Sequence, residues 1–88
     1  MNPYIAEFLG TMLLIFIILS TNGNSIAVGI TVTLIVMMLG NVSGGHVNPA
    51  VTIAMSLIGK IPMKEIVPYV LSQIAGGLVA LEVHKRVM

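Results

Sequence analysis

The 88 residues are 57% hydrophobic and only 8% charged, whereas soluble domains usually carry about 25% charged residues. This composition excludes an ordinary soluble domain and predicts an integral, multi-pass membrane protein. The formal net charge of +1 gives no indication of a nucleic-acid partner, and the absence of cysteine excludes disulfides and thiolate metal sites.

The first apolar run extends from Tyr4 to Ser20 and is interrupted only by Glu7. The polar stretch "STNGNS" follows it, and its Asn-Gly pair is typical of a turn. We therefore predict a first membrane span over approximately residues 4–21. Because the preceding residues lack the basic region of a cleaved signal peptide, we interpret them as mature sequence.

The second apolar run extends from Ile26 to Leu39. Asn24 or Ser25 is available to cap its start, because both side chains accept hydrogen bonds from the first free N–H groups of a helix. A second span over approximately residues 25–40 is the expectation.

The central stretch "SGGHVNPAVT", residues 43–52, interrupts this apolar pattern. The apolar segment that contains its second half, residues 47–58, would be only ~18 Å long as a helix, against ~30 Å of hydrocarbon. Lys60 and Lys64 follow directly and favour water or lipid headgroups. We therefore predict a re-entrant loop and half-helix over approximately residues 43–58, which enters and leaves on one side.

The third long run contains "YVLSQIAGGLVAL", residues 69–81, and ends in charged residues. A third span over approximately residues 66–84 is expected. Small residues recur every four positions in it, at Ser72, Gly76 and Ala80, as do Ala6 and Gly10 in the first span. Such spacing favours close helix packing. The predicted fold class is an all-α membrane protein of one domain, residues 1–88, with three transmembrane helices and one re-entrant half-helix.

Asn48 and Pro49 have the chemistry of a helix start. Proline at the first helical position has its φ already set, and an asparagine cap that accepts a backbone N–H holds its own NH2 outward. Irregular backbone at membrane depth is tolerated only inside protein or beside a watery cavity. Gly44 and Gly45 remove side-chain bulk and allow the carbonyls of residues 44–47 to face a solute. The pattern predicts the wall of a pore for water and small neutral hydroxyl compounds, which disfavours cations.

"SGGHVNPAVT" resembles the first signature loop of the aquaporin and aquaglyceroporin family, the major intrinsic proteins. "AEFLGT", residues 6–11, is similar to that family's first-helix motif, and "YVLSQIAGG", residues 69–77, is similar to its third helix. The three motifs occur in the family's order, and the resemblance runs from about Ala6 to Ala80, nearly the whole chain. The resemblance implies the first half of an aquaporin-like inverted-repeat fold.

The resemblance also implies roles for particular residues. Glu7 matches a buried carboxylate that supports the re-entrant loop, and Val28 stands where many water-selective members have an aromatic filter residue. Together with the motif residues, the expected pore lining is Val28, Gly44, Gly45, His46, Val47, Asn48, Pro49 and Ala50.

Family members have two such halves in inverted orientation, and this sequence has one, without the arginine that follows the second motif. A half-helix that faces nothing leaves polar backbone groups in lipid, so we expect a partner. If Lys60 and Lys64 lie on one side, Lys85 and Arg86 lie on the other, two against two, and the charges give little orientation. We expect an antiparallel homodimer as the pore unit, and by family analogy a tetramer of such dimers. Another half-channel chain is the alternative partner.

Two other functions remain open at this point. One is a non-conducting fragment, or a partner subunit of a full-length channel. The other is a small dual-topology transporter with Glu7 in the substrate path, although "SGGHVNPAVT" has no explanation there. No catalytic pair or metal-site spacing is present, since His46 and His84 belong to different elements, so we expect neither an enzyme nor a cofactor.

Overall fold

The computed structural model describes all residues 1–88 and contains four α-helices. They are α1 (Pro3–Ser20), α2 (Ser25–Leu39), α3 (Pro49–Leu57) and α4 (Ile66–Val87), and a short 3-10 turn, Met63–Glu65, leads directly into α4. The protein is therefore all-helical, as the sequence predicts.

Asparagine caps begin three of the four helices. The Asn2 side chain accepts from Tyr4 N at 2.7 Å, Asn24 from Ala27 N at 3.0 Å, and Asn48 from Ala50 N at 2.8 Å. In α1 and α3 a proline occupies the first helical position, where no backbone donor is lost. Local sequence therefore fixes where these helices start.

The helices fall into two length classes. The segments Pro3–Ser20 and Met63–Val87 are long and apolar enough to cross a membrane. In contrast, α2 has 15 residues and α3 has 9, which correspond to about 22 Å and about 14 Å at the helical rise per residue. By helix length alone, the structure thus supports two spans, and α2 is shorter than a typical one.

Helices α1 and α4 pack closely through small residues. Ala6 and Ala80 are fully buried, Gly10 and Gly76 are buried as well, and the α-carbon of Gly76 lies against the carbonyl oxygen of Phe8. Ser72 lies at the edge of this contact, half-buried, because the inward face of α4 follows the 4-3-4 spacing of Tyr69, Gln73, Gly76 and Ala80. The packing face is therefore more polar than the row of small residues predicted from the sequence.

The opposite side of the molecule is open. Helix α2 packs against α1 and against no other helix, and its outer face leaves large apolar side chains exposed, namely Ile26, Ile30, Leu34, Met37 and Met38. The first residues of α3 are also exposed. A chain with this surface needs lipid or another chain around it.

Candidate functional site

The loop between α2 and α3 has a backbone conformation that depends on glycine. Gly44 and Gly45 have φ values of +93° and +60°, in the left-handed half of the map that glycine adopts without steric cost. A β-carbon on Gly45 would lie 3.2 Å from the Val36 α-carbon, and one on Gly44 would lie 2.7 Å from His46 Nε2. Both glycines therefore allow the loop to lie against α2 and the imidazole.

Glu7 of α1 holds this loop through its carboxylate. Oε2 accepts the Ser43 hydroxyl at 2.7 Å and the His46 backbone N–H at 3.0 Å, while Oε1 accepts the Val47 backbone N–H at 2.8 Å. The side chain is fully buried. Burying a carboxylate is costly unless donors surround it, and here the loop supplies three of them.

Val47 occupies a strained position that these contacts maintain. Its φ is +45°, which is unusual for a β-branched residue and costs about 1–3 kcal/mol. Its Cγ1 would be only 2.8 Å from a β-carbon on Gly10, so it sits directly over that glycine. The Glu7 bond to its N–H and the gap left by Gly10 together fix the chain just before Asn48.

Behind the loop, a polar chain connects α1, α3 and α4. Gln73 Nε2 donates to Glu7 Oε1 at 2.8 Å and to Thr52 Oγ1 at 2.9 Å, and Thr52 Oγ1 lies 2.9 Å from His46 Nδ1. All four side chains are buried. Three helices are thus hydrogen-bonded to one another through the residues that support the loop.

Two tyrosines support the same loop from its other side. The Tyr69 hydroxyl donates to the Ser43 carbonyl at 2.8 Å, and its ring centre lies 5.2 Å from that of His46. Tyr4 stacks edge-on against Tyr69 at 6.0 Å, and its hydroxyl donates to Glu65 Oε2 at 2.7 Å. The 3-10 turn before α4 is thereby connected to the loop.

An open groove of about 590 Å³ runs beside the loop. One wall is apolar and consists of Val32, Val36, Val51 and Met55; the other contains Ser43, Gly44, Gly45 and His46. The rest of the lining consists of Gly40, Val42, Lys60, Ile61 and Tyr69, and no carboxylate lines the groove. The groove therefore combines an apolar wall with a polar backbone wall, which is a suitable surface for small polar molecules.

The structure distributes the predicted pore residues over three places. Gly44, Gly45 and His46 border the groove, and Asn48, Pro49 and Ala50 are exposed at the start of α3. The Val47 side chain instead packs against Gly10, and Val47 is absent from the groove lining.

Val28 is half-buried near the start of α2. It lies one helical turn before Val32 and two before Val36, so the three side chains share a face of α2. Val28 itself is not part of the groove lining, so its predicted place in the pore stays a prediction.

Several residues that support the loop were not identified from the sequence. Ser43, Thr52, Gln73 and Tyr69 form most of the support for the loop, yet only Glu7 was singled out as a supporting residue. A signal was available, because polar residues inside membrane spans are seldom without a function. Gln73 is the clearest example, since it interrupts an otherwise apolar run.

Comparison with known proteins agrees with the geometry. The family model for major intrinsic proteins matches residues 1–88. The chain belongs to this family. Major intrinsic proteins are integral membrane channels, and the loop that Glu7 supports lies in the part of the chain that carries the family resemblance.

Individual relatives also support membership in this family. The chain is 42% identical to Aquaporin-8 of Notomys alexis over 98% of its own length and 37% of that protein. It is 38% identical to Aquaporin NIP1-1 of Arabidopsis thaliana, with 91% and 31% covered, and 38% identical to Glycerol uptake facilitator protein-like 6 of Lactiplantibacillus plantarum, with 91% and 41% covered. This major intrinsic protein sequence thus spans between about a third and two fifths of the length of these relatives.

Proposed function

We propose that this chain supplies one half of a membrane channel that passes water and small neutral solutes such as glycerol. The observation that carries the proposal is the groove of about 590 Å³, which has one apolar wall and one wall of loop backbone and His46. Relatives named as aquaporins and as glycerol uptake facilitators support this substrate class.

The proposed topology has α1, α2 and α4 crossing the membrane and residues 43–58 re-entering from one side. Helix α3, with 9 residues, covers only about 14 Å of a bilayer of about 30 Å, so with Lys60 at the membrane surface it begins inside the bilayer. Irregular backbone before it is acceptable at that depth because Glu7 and Tyr69 bind it and the groove exposes it to water.

The chemistry of the groove favours neutral solutes over cations. The Asn48 side-chain oxygen is occupied by Ala50 N, so its amide hydrogens remain for a passing oxygen atom. The start of α3 adds the positive end of a helix dipole at the same place. Lys60 is the one charged side chain in the lining. These donors and positive charges repel cations, while water and hydroxyl oxygens accept their hydrogen bonds.

The transporter interpretation is not favoured by the position of Glu7. That carboxylate is fully buried, accepts four hydrogen bonds and is absent from the groove lining. A coupling carboxylate needs access to the substrate path, and Glu7 instead supports the loop that borders it.

The facing half of the pore is proposed to be a second, inverted copy of this chain. The start of α3 and the outer face of α2 are exposed. In a two-fold pair, the corresponding surfaces of the second copy would cover them. The two against two arrangement of Lys60 and Lys64 with Lys85 and Arg86 permits both orientations. Four such dimers would form the tetramer expected by family analogy.

Osmotic swelling of proteoliposomes tests conduction by this chain. Swelling faster than in empty liposomes is expected for the wild type, and Asn48→Leu should abolish most of the excess because it removes the donor beside the path. Asn24→Leu is the matched control, since Asn24 is also a helix cap but starts α2 and follows the turn after α1, far along the chain from the loop before α3. Equal loss in both variants, or no excess swelling by folded wild-type protein, would contradict the proposal.

Orientation is tested with a single cysteine, because the natural sequence contains none. Met88→Cys in sealed vesicles should react with an impermeant maleimide in about half of the molecules if both orientations are present. Labelling of either all molecules or none contradicts the antiparallel pair. A separate second-half chain then becomes the partner to seek.

A further inference from the structure

We propose that Thr52 and Gln73 are positioning residues that hold His46 in the tautomer with its hydrogen on Nε2, so that the imidazole presents an N–H donor to the groove. The tautomer is a property of the folded chain, and only its effect on a solute rests on the proposed channel function.

The orientation of the Gln73 amide follows from its contact with Glu7. Its terminal atom contacts Glu7 Oε1 at 2.8 Å, on a carboxylate whose other three partners, Ser43 Oγ and the backbone N–H groups of His46 and Val47, are hydrogen-bond donors. An acceptor-only carboxylate requires the NH2 of Gln73 on that side. The same NH2 reaches Thr52 Oγ1 at 2.9 Å, so Thr52 accepts its second hydrogen.

The hydroxyl hydrogen of Thr52 has one acceptor within reach. Other hydroxyls in this chain bond the carbonyl four residues earlier, at 2.7–2.9 Å, namely those of Thr21, Thr31, Thr33 and Ser72. Thr52 makes no such bond and is 0% exposed, so water does not reach it. Its other contact is His46 Nδ1 at 2.9 Å. Because the hydroxyl donates there, Nδ1 accepts and carries no hydrogen in the neutral ring.

The hydrogen of the neutral ring is therefore on Nε2. That nitrogen makes no hydrogen bond within the protein and is absent from the fully buried polar atoms that lack a partner. It lies beside Gly44, where a β-carbon would approach it to 2.7 Å, and the ring borders the groove. Glycine at position 44 thus leaves this nitrogen accessible from the groove.

The consequence for a solute is that His46 offers a donor and no acceptor at the groove. Asn48 offers a second donor, since its oxygen is bound by Ala50 N. Both groups bind oxygen lone pairs of water or hydroxyl compounds. A ring with the opposite tautomer would instead present a lone pair, which attracts protonated or cationic species.

Nitrogen NMR of the full chain in lipid bilayers, with 15N-labelled histidine, tests the tautomer directly. His84→Gln assigns the two imidazoles. At a pH where the ring is neutral, the wild type should show His46 Nε2 protonated and Nδ1 unprotonated as a single species. Thr52→Val should produce a mixture of tautomers, and Thr52→Ser should restore the single species because it keeps the hydroxyl. Gln73→Leu, which frees the Thr52 hydroxyl to accept from Nδ1, should shift the population toward protonated Nδ1.

A wild-type spectrum with Nδ1 protonated overturns the proposal, and this result does not depend on the folding of any variant. An unchanged spectrum in folded Thr52→Val overturns the role of Thr52. Permeability gives a separate reading: the swelling rate should fall several-fold in Thr52→Val and remain near wild type in Thr52→Ser. If the wild type does not conduct but shows the expected tautomer, the channel function fails while the positioning role stands.

Discussion

The two faces of the α2–α3 loop differ sharply in how well they are bound. On the inner face, Glu7, Tyr69 and Gln73 with Thr52 hold the loop with short hydrogen bonds among buried groups. On the outer face, the loop and the start of α3 border an open groove, and Asn48 binds nothing beyond its own helix. The contrast supports the proposal that this chain supplies one wall of a pore and that a second chain supplies the opposing wall.

Glu7→Gln should break the inner face most strongly. The amide places an NH2 where two donors now find an oxygen, and in either orientation of the amide one loop backbone N–H loses its acceptor. We expect the free energy of unfolding to fall by about 2–4 kcal/mol, from one or two stranded groups and lost charge-assisted bonds. Denaturation in mixed micelles, followed by circular dichroism, measures this. Glu82→Gln is the control, because Glu82 is exposed and pairs with Arg86 and Lys85 in solvent. Similar losses in both variants would show that the Glu7 contacts add nothing.

Features that depend on local sequence could be predicted without the structure. Helix positions followed from apolar run length and caps: the observed α1 and α2 begin and end within one residue of the predicted bounds, and α4 extends three residues beyond its predicted end. The motif also located the loop in which Gly44 and Gly45 have positive φ. These features depend on local chemistry, which a single sequence displays.

The missing part required three-dimensional proximity. The contact of Gln73 with Glu7 joins residues 66 positions apart, and that of Tyr4 with Glu65 joins residues 61 apart. The choice of Gln73 over Ser72 as the inward residue depends on the rotation of α4, which its row of small residues left ambiguous. Sequence therefore identified the loop and one supporting residue, and the tertiary structure supplied the others.

The next largest effect on stability is expected at Gly76 of α4, and the adjacent Gly77 provides the comparison. A β-carbon at Gly76 would meet the carbonyl oxygen of Phe8, whereas one at Gly77 would have Ile15 Cγ1 at an ordinary 3.6 Å. Gly76→Ala should therefore separate α1 from α4 and destabilise the fold by about 1–3 kcal/mol, the usual cost of overpacking. Gly77→Ala should be neutral or slightly stabilising, because alanine favours helix. Equal melting temperatures in the same detergent would contradict the close α1–α4 contact.

The smallest difference in stability is expected between alanine substitutions at Gly45, in the loop, and at Gly59, after α3. Gly45 and Gly59 both have positive φ, +60° and +82°, but only Gly45 has a backbone atom, Val36 Cα, within 3.2 Å of the added carbon. Both alanine variants bear the cost of a left-handed residue. Gly45→Ala should lose about 1 kcal/mol more than Gly59→Ala, through crowding against α2. Its excess swelling rate should also fall while that of Gly59→Ala is retained. A larger loss at Gly59 would place the crowding elsewhere.

A disulfide between two copies of the chain tests most directly whether a second copy covers the exposed start of α3. Ala50 is exposed beside Asn48 at the start of α3, where two inverted copies would meet at their symmetry axis. In the cysteine-free background, Ala50→Cys in bilayers should form a covalent dimer under mild oxidation. Lys64→Cys should not, because an inverted pair puts the two positions on opposite membrane surfaces. Dimers from Lys64→Cys together with monomers from Ala50→Cys would contradict the account that a second copy supplies the facing half of the pore.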